Sequence, residues 1–288
     1  MKTSQKNTNR FPSDRGLLNQ TYRIKQLKKL GVKLDSWDYV VALAGNPNTG
    51  KSTVFNSLTG LRQHTGNWPG KTVGRAEGGF VYREKNYKMV DLPGTYSLLS
   101  TSEDEEIARD FILFGQPDVT LIVVDATRLE RNLNLTLQIL EITQNVVVCL
   151  NLMDEARRKG ISIDIHGLSK QLSVPVVATT ARYGEGVDQL LAAIENVAED
   201  PRAFSPDGTL NISPELDTAI AELQSDLQTL YPDLPNTRWI ALRLLEGDSR
   251  IREALENDEL QQLSKLYRQA PLDLTHELEI MNNGDENA

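Results

Sequence analysis

Gly45, Gly50, Lys51 and Ser52 stand in the spacing Gly-x-x-x-x-Gly-Lys-Ser, inside the stretch GNPNTGKST that runs Gly45, Asn46, Pro47, Asn48, Thr49, Gly50, Lys51, Ser52, Thr53. Those residue types in that order suit an oxyanion. Glycines let the backbone wrap close to it, successive amides and the N-terminus of a following helix point at it, and the lysine adds a mobile positive charge. The Ser52 hydroxyl suits Mg2+. The apolar run YVVALA precedes the stretch and VFNSL follows it, which places it between a strand and a helix and favours phosphate binding over a plain turn. The spacing fixes phosphates and leaves the base unread.

A second pair reads the base. In NLMD, Asn151 and Asp154 stand three apart at the carboxyl end of an apolar run. The amide suits guanine N7, and the carboxylate suits the N1–H and 2-amino donors. Adenine offers no such donor pair, so the carboxylate would be buried unpaired; a site built this way discriminates by a factor on the order of 10^4. The segment TTAR after the next run brings Thr180, Ala181 and Arg182 to the same place, with the Ala181 backbone near the guanine oxygen. Taken alone, NxxD also fits a solvated turn; in this position it points to GTP rather than ATP.

Two further pieces fall between these in order. DLPG, Asp91 to Gly94, ends a strand, so Asp91 is placed to orient a Mg2+-bound water and the Gly94 amide to sense a terminal phosphate. NWPGKTVG sets Thr72 in a loop, from which its hydroxyl and carbonyl would reach Mg2+ and the γ-phosphate. Both segments are the expected moving parts, held by the γ-phosphate and released when it leaves.

The elements that must position these residues follow from periodicity. From residue 39 to about 200, the apolar runs YVVALA, GGFVYR, YKMVDL, VTLIVVDA, VVVCLN and VPVVAT alternate with helical patterns such as NLNLTLQILEIT, where Leu133, Leu137 and Leu140 share a face. The rhythm predicts an α/β fold with a mostly parallel six-stranded sheet and helices on both faces. Ligands bind such sheets at the carboxyl ends of the strands. After AEDPRAFSPDG, residues 213 to 231 and 236 to 268 show only helical periodicity, with Leu216, Ile220, Leu223, Leu227 and Leu230 facing one way. This predicts a small C-terminal all-helical domain. The divisions are a basic N-terminal extension over 1–38, the α/β domain over 39–200, the helical domain over 201–270 and a polar tail over 271–288.

Composition narrows the classes. Of 288 residues, 39% are hydrophobic and 25% charged, which is ordinary for a globular chain. No apolar run approaches the roughly 18 residues of a membrane span, so the chain is not expected to cross a bilayer by itself. No apolar stretch follows MKTSQKNTNR, so a signal peptide is not expected. The lone Cys149 excludes a disulfide framework, favours a reducing cytoplasm and reads as a small buried thiol. The net charge of -9 is uneven: residues 1–38 carry nine basic and three acidic side chains, leaving -15 on the rest. So acidic a body argues against a general nucleic-acid binder. In the basic arm Leu17, Leu18, Ile24, Leu27 and Leu30 recur at helical spacing beside Lys25, Lys28 and Lys29. That helix suits an anionic membrane surface or an acidic partner, or else packs on the body as the end of a solvated tail. His64, His166 and His276 have no Cys or carboxylate at ligand spacing, so no iron or zinc site is expected. Glu103, Asp104, Glu105 and Glu106 read as acids complementing a helix N-terminus.

With these pieces in order the chain resembles the FeoB family, the bacterial ferrous iron transport protein B, in its cytosolic N-terminal portion. The likeness is carried by GNPNTGKSTVFNSLTG, TGNWPGKTV, DLPGTYSL, LNLMDEARRKGI and RWIALRLLEGD, and spans about residues 39 to 270. It implies a Ras-like P-loop GTPase domain joined to a helical domain of the guanine-nucleotide dissociation inhibitor kind. The implied chemistry is hydrolysis of GTP to GDP and phosphate, with Mg2+ held by Ser52, Thr72 and Asp91. The resemblance further implies K+ held by Asn48 with backbone carbonyls around Trp68; Asn48 otherwise caps the turn. Lys51, Asn48, Thr72 and Gly94 form the implied catalytic set. The implied partner is a polytopic membrane iron permease, in cis or in trans, which would hold the chain at the cytoplasmic face of the inner membrane; no nucleic acid is expected and an oligomer is left open.

Many Ras-like proteins carry Gln after the DxxG motif, where this chain has Thr95. Threonine is too short to orient the water, so intrinsic turnover is expected to be slow, on the order of 10^-4 to 10^-2 per second without an added cation. Trp68 is expected to be a mobile switch residue and Trp239 helical core. The helical domain is either scaffold or, as the family implies, a brake on GDP release that relays the switch state; for Glu103 and Asp104 the family also implies a coupling role beside that of helix N-terminal acids. Two other functions stay open: an RNA-associated GTPase of the ribosome-assembly or tRNA-modification type, and a nucleotide-dependent interaction module with negligible turnover.

Overall fold

The computed structural model describes residues 37–60, 63–68, 71–99, 102–200, 213–232, 234, 236–258 and 260. The amphipathic helix expected in the basic arm, the polar tail and His276 lie outside the described residues. The chain opens with β1 (Tyr39–Gly45), followed by α1 (Lys51–Thr59), β2 (Gln63–Asn67), β3 (Gly74–Tyr82) and β4 (Lys85–Asp91). Next come α2 (Glu103–Gly115), β5 (Val119–Asp125), α3 (Leu129–Ile142), β6 (Val146–Asn151), α4 (Met153–Arg158), α5 (Ile165–Leu172), β7 (Val176–Ala178) and α6 (Val187–Glu199). Three more helices follow, α7 (Pro214–Leu230), α8 (Thr237–Leu245) and α9 (Ser249–Glu256).

The strands form one sheet in the order β2-β3-β4-β1-β5-β6-β7. Neighbours from β4 to β7 run parallel, whereas β2–β3 and β3–β4 are antiparallel. The sheet therefore has seven strands where the apolar runs predict six. The extra strand, QHTGN, has no alternation of apolar and polar residues to announce it; it exists because it pairs in register along β3, from Gln63 opposite Gly78 to Asn67 opposite Gly74. By contrast, β5 and β6 are buried at every position, and their continuous Val, Ile and Leu content marks them as central strands covered on both sides.

Each face of the sheet carries its own core. On one side Val41, Leu43, Met89, Leu121 and Val147 meet Phe55 and Leu58 of α1 and Leu190 and Ile194 of α6. On the other side Ala42, Val90, Ile122 and Val148 meet Phe111 and Ile112 of α2 and Leu135 and Ile139 of α3, and this core runs on through Ile220, Leu227, Trp239 and Ile240 of the C-terminal helices. Trp239 is core, as its helical setting implied. On α3 the inward face differs from the expected one. Asn132, Leu135, Thr136, Ile139 and Ile142 are buried, while Leu137 stands 39% exposed. Two polar residues occupy inward positions because they satisfy themselves locally: Asn132 donates to Arg128 O and Thr136 to Asn132 O. A purely apolar count therefore selected a face rotated away from the sheet.

The C-terminal pattern expected over 236–268 is divided at Gly247, whose φ of 79° ends α8, and at Asp248, whose side chain accepts the Arg250 and Ile251 amides to start α9. Cys149 on β6 is fully buried, and burial pushes its thiol up to about 12. A thiol so placed stays protonated and shielded. Ellman's reagent at pH 8 is therefore expected to titrate Cys149 only after the chain is unfolded; reaction with the native protein would contradict its placement.

Candidate functional site

The phosphate loop leaves β1 at the centre of the sheet, where neighbouring strands β4 and β5 diverge in sequence order. This is the crevice that parallel sheets offer to ligands. Two glycines are required by their surroundings. A Cβ on Gly45 would lie 2.6 Å from the Val123 carbonyl oxygen, and one on Gly50, where φ is 83°, would lie 2.5 Å from Asn151 Nδ2. Between them Thr49 Oγ1 donates to Asn46 O at 2.9 Å, closing the turn. Asn48 is exposed and holds φ 66°, a left-handed conformation that asparagine tolerates better than most residues. Ser52 and Thr53 are exposed on the first turn of α1, which carries no acidic side chain. The free amides and positive dipole end of that turn are thus open to an anion.

Lys51 Nζ donates to Leu92 O at 2.7 Å and forms an ion pair with Asp91. Burial pushes the Asp91 pKa up, and the Lys51 charge works against that. Gly94 lies directly over the loop: a Cβ there would sit 3.6 Å from Pro47. Lys51, Asp91, Gly94 and the Ser52 turn are therefore brought together as expected. Thr72 is exposed on its loop. Thr95 is 5% exposed, so besides being short its side chain is turned inward.

On the other flank, Asn151 is 1% exposed and ties three segments together. Its Nδ2 donates to Thr49 O at 3.1 Å, and its Oδ1 accepts from the Ala181 amide at 3.1 Å and Thr179 Oγ1 at 3.2 Å. One amide side chain thus holds the phosphate loop and the TTAR segment in a single frame. Asp154, on the first turn of α4, lines a cavity of about 570 Å³ together with Asn151, Thr180, Ala181 and Arg182. Thr180 Oγ1 donates to Glu185, which also pairs with Arg157 at 2.6 Å. Sequence spacing missed this Glu185–Arg157 brace: Arg157 stands in LNLMDEARRKGI, but Glu185 lies 28 positions on and belongs to no motif.

Trp68, expected to be a mobile switch residue, is packed in this structure: it is 2% exposed, its ring edge-on to Phe111 of α2 with centroids 5.5 Å apart. Burying a ring of this size removes about 200 Å² from water, which anchors the loop that carries Thr72. Flanking Gly and Pro residues suggest mobility; the apolar face of α2 overrides them. The Trp68 carbonyl accepts the Lys71 amide at 3.0 Å.

Fold and site together define a Ras-like P-loop GTPase domain. Family comparison gives the more particular result: residues 39–194 match the family described as ferrous iron transport protein B, and residues 213–281 match the FeoB cytosolic helical domain. The chain belongs to the FeoB family. It is 42% identical over 212 residues to the Fe(2+) transporter FeoB of Escherichia coli K12 and to that of Shigella flexneri, covering 72% of this chain and 27% of each relative. The chain thus spans about a quarter of the length of those relatives. Among solved structures, the cytosolic domain of T. maritima FeoB in apo form is similar at a TM-score of 0.69 and 38% identity, covering 77% of this chain and 86% of that one. The cytosolic domain of L. pneumophila FeoB gives 0.66 and 34%, covering 79% and 96%. The FeoB G-domain from Methanococcus jannaschii gives 0.50 and 48%, covering 56% and 98%.

Proposed function

We propose that this chain binds GTP, hydrolyses it slowly to GDP and phosphate, and so regulates ferrous iron uptake through a polytopic membrane iron permease at the cytoplasmic face of the inner membrane. The observation that carries the reading is the position of Asn151, which joins a phosphate cradle to a cavity containing the Asp154 carboxylate. Such a frame suits a ligand with phosphates at one end and a purine bearing two adjacent donors at the other.

Mg2+ suits the donors available. One carboxylate, Asp91, and the hydroxyls of Ser52 and Thr72 match an ion that takes few protein ligands and draws the rest from phosphate oxygens and water. Bound there, Mg2+ would neutralise charge on the phosphates. The chain's own share is positional: α1 amides and Lys51 hold the phosphates, Gly94 packs against Pro47 where a terminal phosphate would lie, and Thr72 is carried by a loop anchored through Trp68. Asn48, exposed on the phosphate loop, is the residue we assign to K+, which would supply the positive charge that a threonine at position 95 cannot replace.

The test is GTP turnover in KCl against NaCl, with Lys51→Ala as the blank. We expect KCl to accelerate turnover at least about tenfold, a modest part of what an added cation contributes at such sites. Equal rates in the two salts would remove the potassium assignment; rates equal to the Lys51→Ala blank would leave a nucleotide-dependent binding module instead of an enzyme.

A further inference from the structure

The Glu106 carboxylate, on the first turn of α2, has two cationic neighbours from different parts of the chain. Its Oε2 accepts from Lys71 Nζ at 3.1 Å, and its Oε1 lies 3.5 Å from Arg250 Nε on α9. Lys71 immediately precedes Thr72, and its ammonium is also 3.7 Å from Glu103. Hydrogen bonding to Glu106 holds Lys71 above the usual ammonium range. Arg250 reaches further along α2 to Asp110 at 3.8 Å, and the N-terminus of α9 is fixed beside α2 by the pair Arg109–Asp248 at 3.7 Å. The Thr72 loop is already pinned on one side by the Trp68 ring on Phe111. Lys71 supplies the second point of attachment, three residues on, and Thr72 lies directly beside it.

We propose that Glu106 is a positioning residue, the shared acceptor through which α9 and the Thr72 loop set each other's place against α2. The inference rests on the reading of Thr72 as a contact to Mg2+ and the γ-phosphate. Arg250 holds one oxygen of the carboxylate and leaves the other aimed at Lys71; without Arg250 the Glu106 side chain is free to leave the loop. Because the three groups are 21% to 35% exposed, the coupling is modest.

The experiment measures dissociation of a fluorescent non-hydrolysable GTP analogue and of fluorescent GDP, in Mg2+, from the parent chain, Lys71→Met, Glu106→Gln, Arg250→Met and the doubles Lys71→Met/Glu106→Gln and Arg250→Met/Glu106→Gln. Each single change is expected to release the analogue about three- to fivefold faster, the range of a partly exposed ion pair, and to leave GDP release within about twofold because GDP has no γ-phosphate. In the doubles the second change is expected to add nothing, since both cations act through the same carboxylate. Melting temperatures close to the parent's are expected and separate positioning from loss of fold. Parent-like analogue release from all three single variants would overturn the proposal, as would additive effects in the doubles. Magnesium-independent analogue release from the parent itself would instead defeat the Thr72 reading on which it rests.

Discussion

Asp154→Asn is expected to lower affinity for GDP and GTP about 10^3- to 10^4-fold, the discrimination a site achieves when a buried polar group loses its matched partner. The carboxylate lines the cavity beside the first turn of α4, and in the proposed site two donors of guanine, N1–H and the 2-amino group, would converge on its acceptors. An amide keeps one acceptor and turns the other into a donor, which meets the amino group donor to donor. Xanthine carries an oxygen at that position, so the same variant is expected to gain affinity for xanthosine diphosphate. Competition of GDP, XDP and ADP against a fluorescent nucleotide measures both changes. Unchanged GDP binding would remove Asp154 from the base contact and with it the preference for guanine. Asn151 is unsuited to this test, because its amide holds Thr49, Thr179 and Ala181 and its loss would unseat the whole frame.

The second large effect concerns stability. Arg109 is fully buried on α2, bonded through Nε and Nη2 to Asp110 at 3.1 and 3.0 Å and facing Asp248 of α9 through Nη1 at 3.7 Å. Arg109→Met keeps most of the volume and removes the charge, leaving the Asp110 carboxylate to the more distant Arg250 at 3.8 Å and taking the Arg109 cation from Asp248. Breaking a buried pair by deleting one partner costs about 3–5 kcal/mol, readable as a lower midpoint in urea. The deficit also depends on pH. Burial already raises the Asp110 pKa, and Arg109 is the foremost influence opposing that. In the variant the native carboxyl holds its proton at pH values where the unfolded chain has released it. The unfolded state then binds fewer protons, so the stability of the variant falls as pH rises. The gap between variant and parent is therefore expected to be widest near neutral pH and to narrow as pH is lowered toward the ordinary carboxylate range. A gap of under about 1 kcal/mol that does not vary with pH would mean the pair is a passive contact.

The glycines of the Gly45–Ser52 stretch were legible because only glycine fits against Val123 O and Asn151 Nδ2, and the NLMD pair because its spacing sets Asn151 and Asp154 on one cavity. The strands β5 and β6 were legible because burial on both sides leaves no room for polar residues. What stayed hidden was set by tertiary context. QHTGN carries no pattern and is a strand only because β3 lends it a ladder. Asn132 and Thr136 took inward places on α3 by bonding to their own helix, which an apolar count cannot see. Trp68 looked free because its neighbours in sequence are Gly and Pro; its partner Phe111 lies 43 positions away. The ion pairs joining α2 to α9, Glu106–Arg250 and Asp110–Arg250, belong to no motif and appear only once the helices are packed.

Asn151 has a consequence for how a bound molecule departs. Its side chain bonds both the Thr49 loop and the Ala181 segment. A displacement at either end would disturb the other, so a nucleotide held as proposed would lose its grip at both halves in one event. A partner wishing to empty the pocket need push on a single wall.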